Sequence, residues 1–172
     1  MQLREKDLSV SELIYLAYGM KGLTVKYDAK LFVNDRLDIA MSVDADGIHL
    51  GQSSMPVHAA RRVVGDKMLI GVSTHNLDEA RTAQEEGADF ITFGPIYPTP
   101  SKMKFGEPVG LEALRKVRSK ILIPILGIGG IRRDNIVKVL DSGADGIALI
   151  SGILGAKDVR RAAEEYVEML PG

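Results

Sequence analysis

The chain repeats one pattern. A short, nearly continuous apolar run is followed by a polar break rich in glycine, and then by apolar residues at helical spacing. Six such runs are Leu31–Val33, Gly47–Leu50, Met68–Val72, Phe90–Phe93, Ile123–Ile128 and Gly146–Ile150. They are rich in β-branched residues and do not alternate, which predicts strands buried on both faces, as in a parallel sheet. Gln2–Lys6 alternates and supplies a seventh strand. Between the runs lie amphipathic segments. Asn76 as N-cap with Glu79 at the capping-box position opens one helix, and Val159–Leu170 forms a terminal one. Strand and helix in alternation predict an α/β domain spanning 1–172.

A phrase recurs along the chain: Asp44-Ala45-Asp46-Gly47-Ile48, Gly87-Ala88-Asp89-Phe90-Ile91 and Gly143-Ala144-Asp145-Gly146-Ile147. In each a helix ends, the chain turns and a strand begins. The acidic residues then stand at the N-terminal ends of strands, which in an α/β barrel is the stability face, so a structural role is expected. Seven strands in 172 residues fall short of the eight of a TIM-type (β/α)8 barrel. One strand–helix unit is about 30 residues. Both deficits match a barrel missing its first βα unit, with parallel strands near Gln2, Leu31, Ile48, Ile70, Ile91, Ile125 and Ile147. Such a gap leaves strand edges unpaired, so a partly open barrel or a homo-oligomer is expected. An open doubly wound sheet is the alternative.

Composition narrows the function. Twenty-two basic residues against 23 acidic ones give a net charge of -1, which speaks against general nucleic-acid or membrane-surface binding. There is no cysteine, and so no disulfide framework, thiolate metal site or cysteine nucleophile. No apolar run reaches the ~18 residues of a membrane span, and the opening residues do not read as a signal peptide, so a cytoplasmic location is expected.

Several strand ends carry chemistry. Gly127-Ile128-Gly129-Gly130-Ile131 follows a strand and precedes a helix expected to start near Arg133. Its backbone amides can approach an anion closely, with the helix N-terminus adding to the field. Ile150-Ser151-Gly152 ends the next strand, and in barrels the loops after the last two strands commonly build one phosphate site. Ile96–Gly110 is a proline-rich loop of about 15 residues, long enough to be functional. Within it Thr99-Pro100-Ser101-Lys102 offers two hydroxyls and an ammonium to an anion. On the first strand Gln2, Arg4 and Lys6 share one face and can grip a diphosphate, while Leu3 and Glu5 point the other way. Asn34 and Asp35 follow a strand. The carboxylate suits Mg²⁺, which takes one or two carboxylates plus substrate phosphate oxygens, or the pair caps the next helix. His49 is either a satisfied core histidine or an inward-facing ligand. His58 reads as a surface residue, and Ser73 is better placed as a ligand than His75.

Taken in order, Gln2–Lys6, Val33–Arg36, Gly47–Gln52, Gly71–His75, Phe93–Lys102, Gly127–Ile131 and Gly146–Gly152 resemble the thiamine phosphate synthase family over nearly the whole chain. The resemblance implies a barrel enzyme that joins hydroxymethylpyrimidine diphosphate to a thiazole phosphate and releases pyrophosphate, with Mg²⁺ as cofactor. It assigns Gln2, Leu3, Arg4, Glu5, Lys6, Asn34, Ser73 and Lys102 to the pyrimidine diphosphate. Arg4, Lys6 and Lys102 stabilise the leaving group. Thr99, Pro100, Ser101, Gly130, Ile150 and Ser151 would surround the thiazole phosphate, and Asp35 would bind the metal. Ser54 stands where the family usually places a second metal-binding aspartate, and Ser101 replaces a threonine. Two other readings share the fold: the related thiazole tautomerase, which usually has a histidine where Pro95 stands, and a non-catalytic relative that binds thiamine-type phosphates.

Overall fold

The computed structural model of the protein describes residues 1–99 and 107–170. Its contacts divide the chain into two compact units, Met1–Ser73 with Glu85–Asp89, and Thr74–Gln84 with Phe90–Gly172.

The first unit holds β1 (Gln2–Leu3), α1 (Val10–Lys26), β2 (Phe32–Asn34), α2 (Leu37–Ser42), β3 (Gly47–Leu50), α3 (Val57–Val64) and nearly all of β4 (Leu69–Thr74). Its strands pair in sequence order and all in parallel, with Leu3 opposite Val33, Val33 opposite Ile48, and Ile48 opposite Ile70. Leu31, Ile48, Leu50 and Ile70 are fully buried, as are Ile39 and Ala40 of α2 and Ala60 of α3. The second unit contains α4 (Leu77–Glu85) except its last residue, then β5 (Phe90–Phe93), α5 (Gly110–Arg118), β6 (Ile125–Ile128), α6 (Ile136–Asp141), β7 (Gly146–Ala148), α7 (Ser151–Leu154) and α8 (Val159–Val167). Here β5, β6 and β7 are again consecutive parallel neighbours, with Phe93 opposite Gly127 and Ile128 opposite Ala148. A doubly wound sheet reverses its strand order part-way, whereas barrel units follow one another. Within each unit the order is the barrel's, and the α/β class and strand positions expected from the sequence are found.

Local signals explain several boundaries. Ser9 accepts the amide of Glu12 and the Glu12 carboxylate accepts the amide of Ser9, a closed capping box that starts α1. Asn76 caps α4 in one direction: its Oδ1 accepts the Glu79 amide at 2.9 Å, as its position predicted, while the Glu79 carboxylate accepts the His75 amide. Three boundaries differ from the sequence reading by three residues. The first strand ends at Leu3 rather than Lys6, because Glu5 turns back to accept the amides of Lys6 and Asp7. The helix after β6 starts at Ile136, not near Arg133. Asn135 first closes a turn by accepting the Arg132 amide and donating to the Gly130 carbonyl. The terminal helix ends at Val167.

The recurring aspartate has one structural role, repeated three times. The amides of Asp46, Asp89 and Asp145 donate to the carbonyls of Leu31, Ile70 and Ile125. The amides of those same three residues donate back to the carboxylates, at 2.9, 2.6 and 2.8 Å. Each carboxylate also holds a cation, Lys21, Arg61 or Arg118. Each aspartate thus ties the start of one strand to its neighbour and to a helix. Burial alone would raise the Asp46 carboxyl, but the Leu31 amide and then Lys21 outweigh it and hold it below the ordinary 3.8. Its stabilisation is therefore full above that value and fades as pH falls through the lowered native one. Asp46→Ala strands the amide of fully buried Leu31. It is expected to cost about 2 kcal/mol in denaturant unfolding at neutral pH, and a change below ~0.5 kcal/mol would show the tie to be dispensable.

Candidate functional site

In the first unit the C-terminal ends of the strands carry a continuous polar chain. The side-chain amide of Gln2 donates to Asn34 Oδ1 at 3.0 Å, and Asn34 Nδ2 donates to Asp35 Oδ2 at 2.7 Å. Ser54 Oγ donates to the other carboxylate oxygen of Asp35 and accepts the Gly51 amide at 2.7 Å. Four residues singled out in the sequence are therefore brought together. Asp35 has a left-handed backbone, φ +59°, with the Arg36 amide donating to the Asn34 carbonyl across it. That tight turn gives the carboxylate to Ser54. Neither Asn34 nor Asp35 caps α2, since Arg36 occupies the N-cap with no side-chain bond. The capping alternative is thus not realised.

Beside this chain, His49 is 4% exposed on β3, with its Nε2 2.9 Å from Ser73 Oγ. Gln52, which the sequence reading passed over, donates to the Ser73 carbonyl at 2.6 Å. Its signal was its place just after the third strand. Burial pushes His49 down to about 4, only partly opposed by Asp35, so the ring is neutral at pH 7 and acts as the partner of Ser73. The unfolded chain takes up this proton below 6.5 and the native protein only near 4. Stability therefore falls as pH drops through that window, by up to about 3 kcal/mol. In His49→Gln the slope of unfolding free energy between those pH values is expected to flatten. An unchanged slope in denaturant titrations would place the effect elsewhere.

The remaining predicted residues on the first strand separate. Leu3 is core, at 5% exposure, so its side chain packs inside rather than at the surface. Glu5 is held by the amides of Lys6 and Asp7, and Arg4 and Lys6 lie beyond the strand with exposed side chains. Among the other histidines, His58 pairs with Glu86 on the surface and His75 with Glu79.

The second unit contains a pocket of about 620 Å³. Gly129 and Gly130 form one wall in left-handed conformations, φ +93° and +66°, with Thr99, Ile150, Ser151 and Gly152 around them. Thr99, Gly130, Ile150 and Ser151 of the predicted phosphate set are therefore in one cavity. Pro100, Ser101 and Lys102 lie outside the described residues. The opposite wall, from α8, includes Glu165 and Tyr166, neither of which the sequence singled out. An aromatic on a terminal amphipathic helix looks like core until the cavity is seen.

Residues 1–153 match the family model described as thiamine monophosphate synthase. The chain belongs to the thiamine monophosphate synthase family. The thiamine-phosphate synthase of Moorella thermoacetica is 46% identical over 170 residues, 99% of this chain and 81% of that one. That of Chloroflexus aurantiacus is 47% identical over 165 residues, covering 96% and 76%. The solved thiamine phosphate pyrophosphorylase from Pyrococcus furiosus superposes with a TM-score of 0.90 at 41% identity, over 98% of this chain and 80% of that one. Membership makes the chain an enzyme of this type and its fold a TIM-type barrel with seven of eight units present in this sequence. 3-Hexulose-6-phosphate synthase, with a TM-score of 0.69 at 21% identity, shares the fold alone.

Proposed function

We propose that the chain joins a hydroxymethylpyrimidine diphosphate to a thiazole phosphate, forming thiamine phosphate and pyrophosphate in the cytoplasm. The observation that carries this reading is the pocket in which Gly129, Gly130 and Ser151 converge with Thr99, a cradle of backbone amides and hydroxyls suited to a phosphomonoester. The reaction breaks the bond between the pyrimidine methylene carbon and the diphosphate oxygen. The electron pair leaves with pyrophosphate, and the thiazole nitrogen then bonds to the carbocation carbon. This chemistry asks for stabilisation of the leaving group rather than for a general base.

In this reading Gln2, Asn34 and Ser73 orient the pyrimidine diphosphate, and Arg4, Lys6 and Lys102 offset the charge that builds on the leaving group. Asp35 is the candidate Mg²⁺ ligand. Its donor set is one carboxylate with the Ser54 hydroxyl and the Asn34 and Gln2 amides in a chain, all oxygen-bearing groups. Among the described residues no three His, Cys, Asp or Glu side chains cluster for a metal. Mg²⁺ commonly takes one or two protein carboxylates and completes its shell with substrate phosphate oxygens and waters. Bound there, the cation would neutralise diphosphate charge.

Neither alternative is favoured. Pro95 has no titratable group for a tautomerase proton transfer, and the relatives at this identity are named as synthases. Pyrophosphate release assayed with both substrates and Mg²⁺ tests the reading. Turnover that needs both substrates is expected, and none at any Mg²⁺ concentration would reject it.

A further inference from the structure

We propose that Tyr166, on α8, is a binding residue for the phosphate of the thiazole substrate. The inference rests on the reading of this pocket as the thiazole phosphate site and assigns it a donor from a helix that no sequence motif marked. Tyr166 is 7% exposed, and it lines the pocket that contains Gly129, Gly130 and Ser151. Its ring packs directly on Gly152: a Cβ built there would come within 2.9 Å of the tyrosine Oη. Gly152 thus leaves the room into which the hydroxyl projects, next to Ser151. The hydroxyl makes no hydrogen bond to another described residue.

The other polar groups on that wall are already engaged. Arg133 pairs with Glu165, and Glu165 also accepts from Arg161 at 3.0 Å. With those charges paired, Tyr166 is the uncommitted donor of the α8 wall. A neutral O–H aimed at a dianion forms a short charge-assisted bond without bringing a counter-charge that must be desolvated. It also distinguishes the phosphorylated thiazole from its alcohol, because only the phosphate extends into the cradle.

The test is Tyr166→Phe, which keeps the ring and its packing and removes only the oxygen. By calorimetry the affinity for the thiazole phosphate is expected to fall roughly ten-fold, with the KM for that substrate rising in step. The KM for the pyrimidine diphosphate, binding of the unphosphorylated thiazole alcohol and the melting temperature are expected to stay as they are. Gly152→Ala, which pushes the hydroxyl aside, is expected to copy the loss. Gly130→Asp serves as the control for the pocket itself. If Gly130→Asp abolishes phosphate binding while Tyr166→Phe leaves it unchanged, the role of Tyr166 is overturned and the pocket stands. Should neither variant alter it, the pocket reading fails as well. Equal weakening of phosphate and alcohol by Tyr166→Phe would also overturn the proposal, because packing and not the hydrogen bond would then be responsible.

Discussion

Replacing Gly130 by Asp is expected to abolish binding of the thiazole phosphate. Gly130 has φ +66°, a conformation that side chains rarely adopt. A Cβ there would stand 2.7 Å from Tyr97 Cβ and 2.8 Å from the carbonyl oxygens of Tyr97 and Pro98. Two of these neighbours are main-chain atoms that cannot swing away, so even Ala distorts the wall. Asp adds a carboxylate where the phosphate would lie. At about 4 Å and an effective dielectric near 20, two unit charges repel by roughly 4 kcal/mol, about a thousand-fold in affinity. Gly130→Ala carries only the steric part, so comparing the two by calorimetry separates shape from charge. Circular dichroism of both variants checks that they fold. If Gly130→Asp bound with unchanged affinity, the anion would not be at these amides.

The strands were legible because burial on both faces leaves a run with no alternation, and six such runs lie within two residues of the observed elements. The recurring aspartate was legible as a structural device for a different reason. The same turn-to-strand geometry occurs three times, and each time demands an acceptor for a neighbouring amide. Where the reading failed, a local hydrogen bond outbid the periodic pattern. Glu5 folds back on the Lys6 and Asp7 amides and ends the first strand early, so Gln2, Arg4 and Lys6 do not share one strand face. Asn135 closes a turn and delays α6 by three residues, which moves that helix N-terminus away from Gly129 and Gly130. The candidate site was legible where the backbone requires one residue type, as with glycine at the left-handed wall. The places of Gln52 and Tyr166 were not legible, since they depend on a neighbour across space: the Ser73 carbonyl for one, Gly152 for the other.

The metal assignment carries the other large effect. Asp35→Ala, and equally Asp35→Asn, is expected to remove turnover, because the first unit then offers no carboxylate in the Gln2–Asn34–Ser54 chain. The Asn variant keeps an oxygen for the Ser54 hydroxyl and so preserves the local fold while removing the charge. Ser54→Asp works in the opposite direction. The Ser54 oxygen already accepts the Gly51 amide and lies in hydrogen-bond contact with Asp35, so an aspartate there places a second carboxylate beside the first. Without a cation these two like charges repel, and the variant is expected to melt at a lower temperature than the parent in chelator. With Mg²⁺ the penalty becomes a gain, since hard divalent cations favour anionic oxygen over a neutral hydroxyl. Turnover is then expected to reach half its maximum at roughly ten-fold less Mg²⁺, equivalent to about 1.4 kcal/mol in binding. The melting temperature should also rise with Mg²⁺ more steeply than in the parent. The melting curve reads the site independently of catalysis. If Asp35→Asn retains full turnover, and Ser54→Asp neither loses stability in chelator nor gains it with Mg²⁺, Asp35 is not a metal ligand. Its left-handed turn would then serve only to hold Ser54 and Asn34 in place.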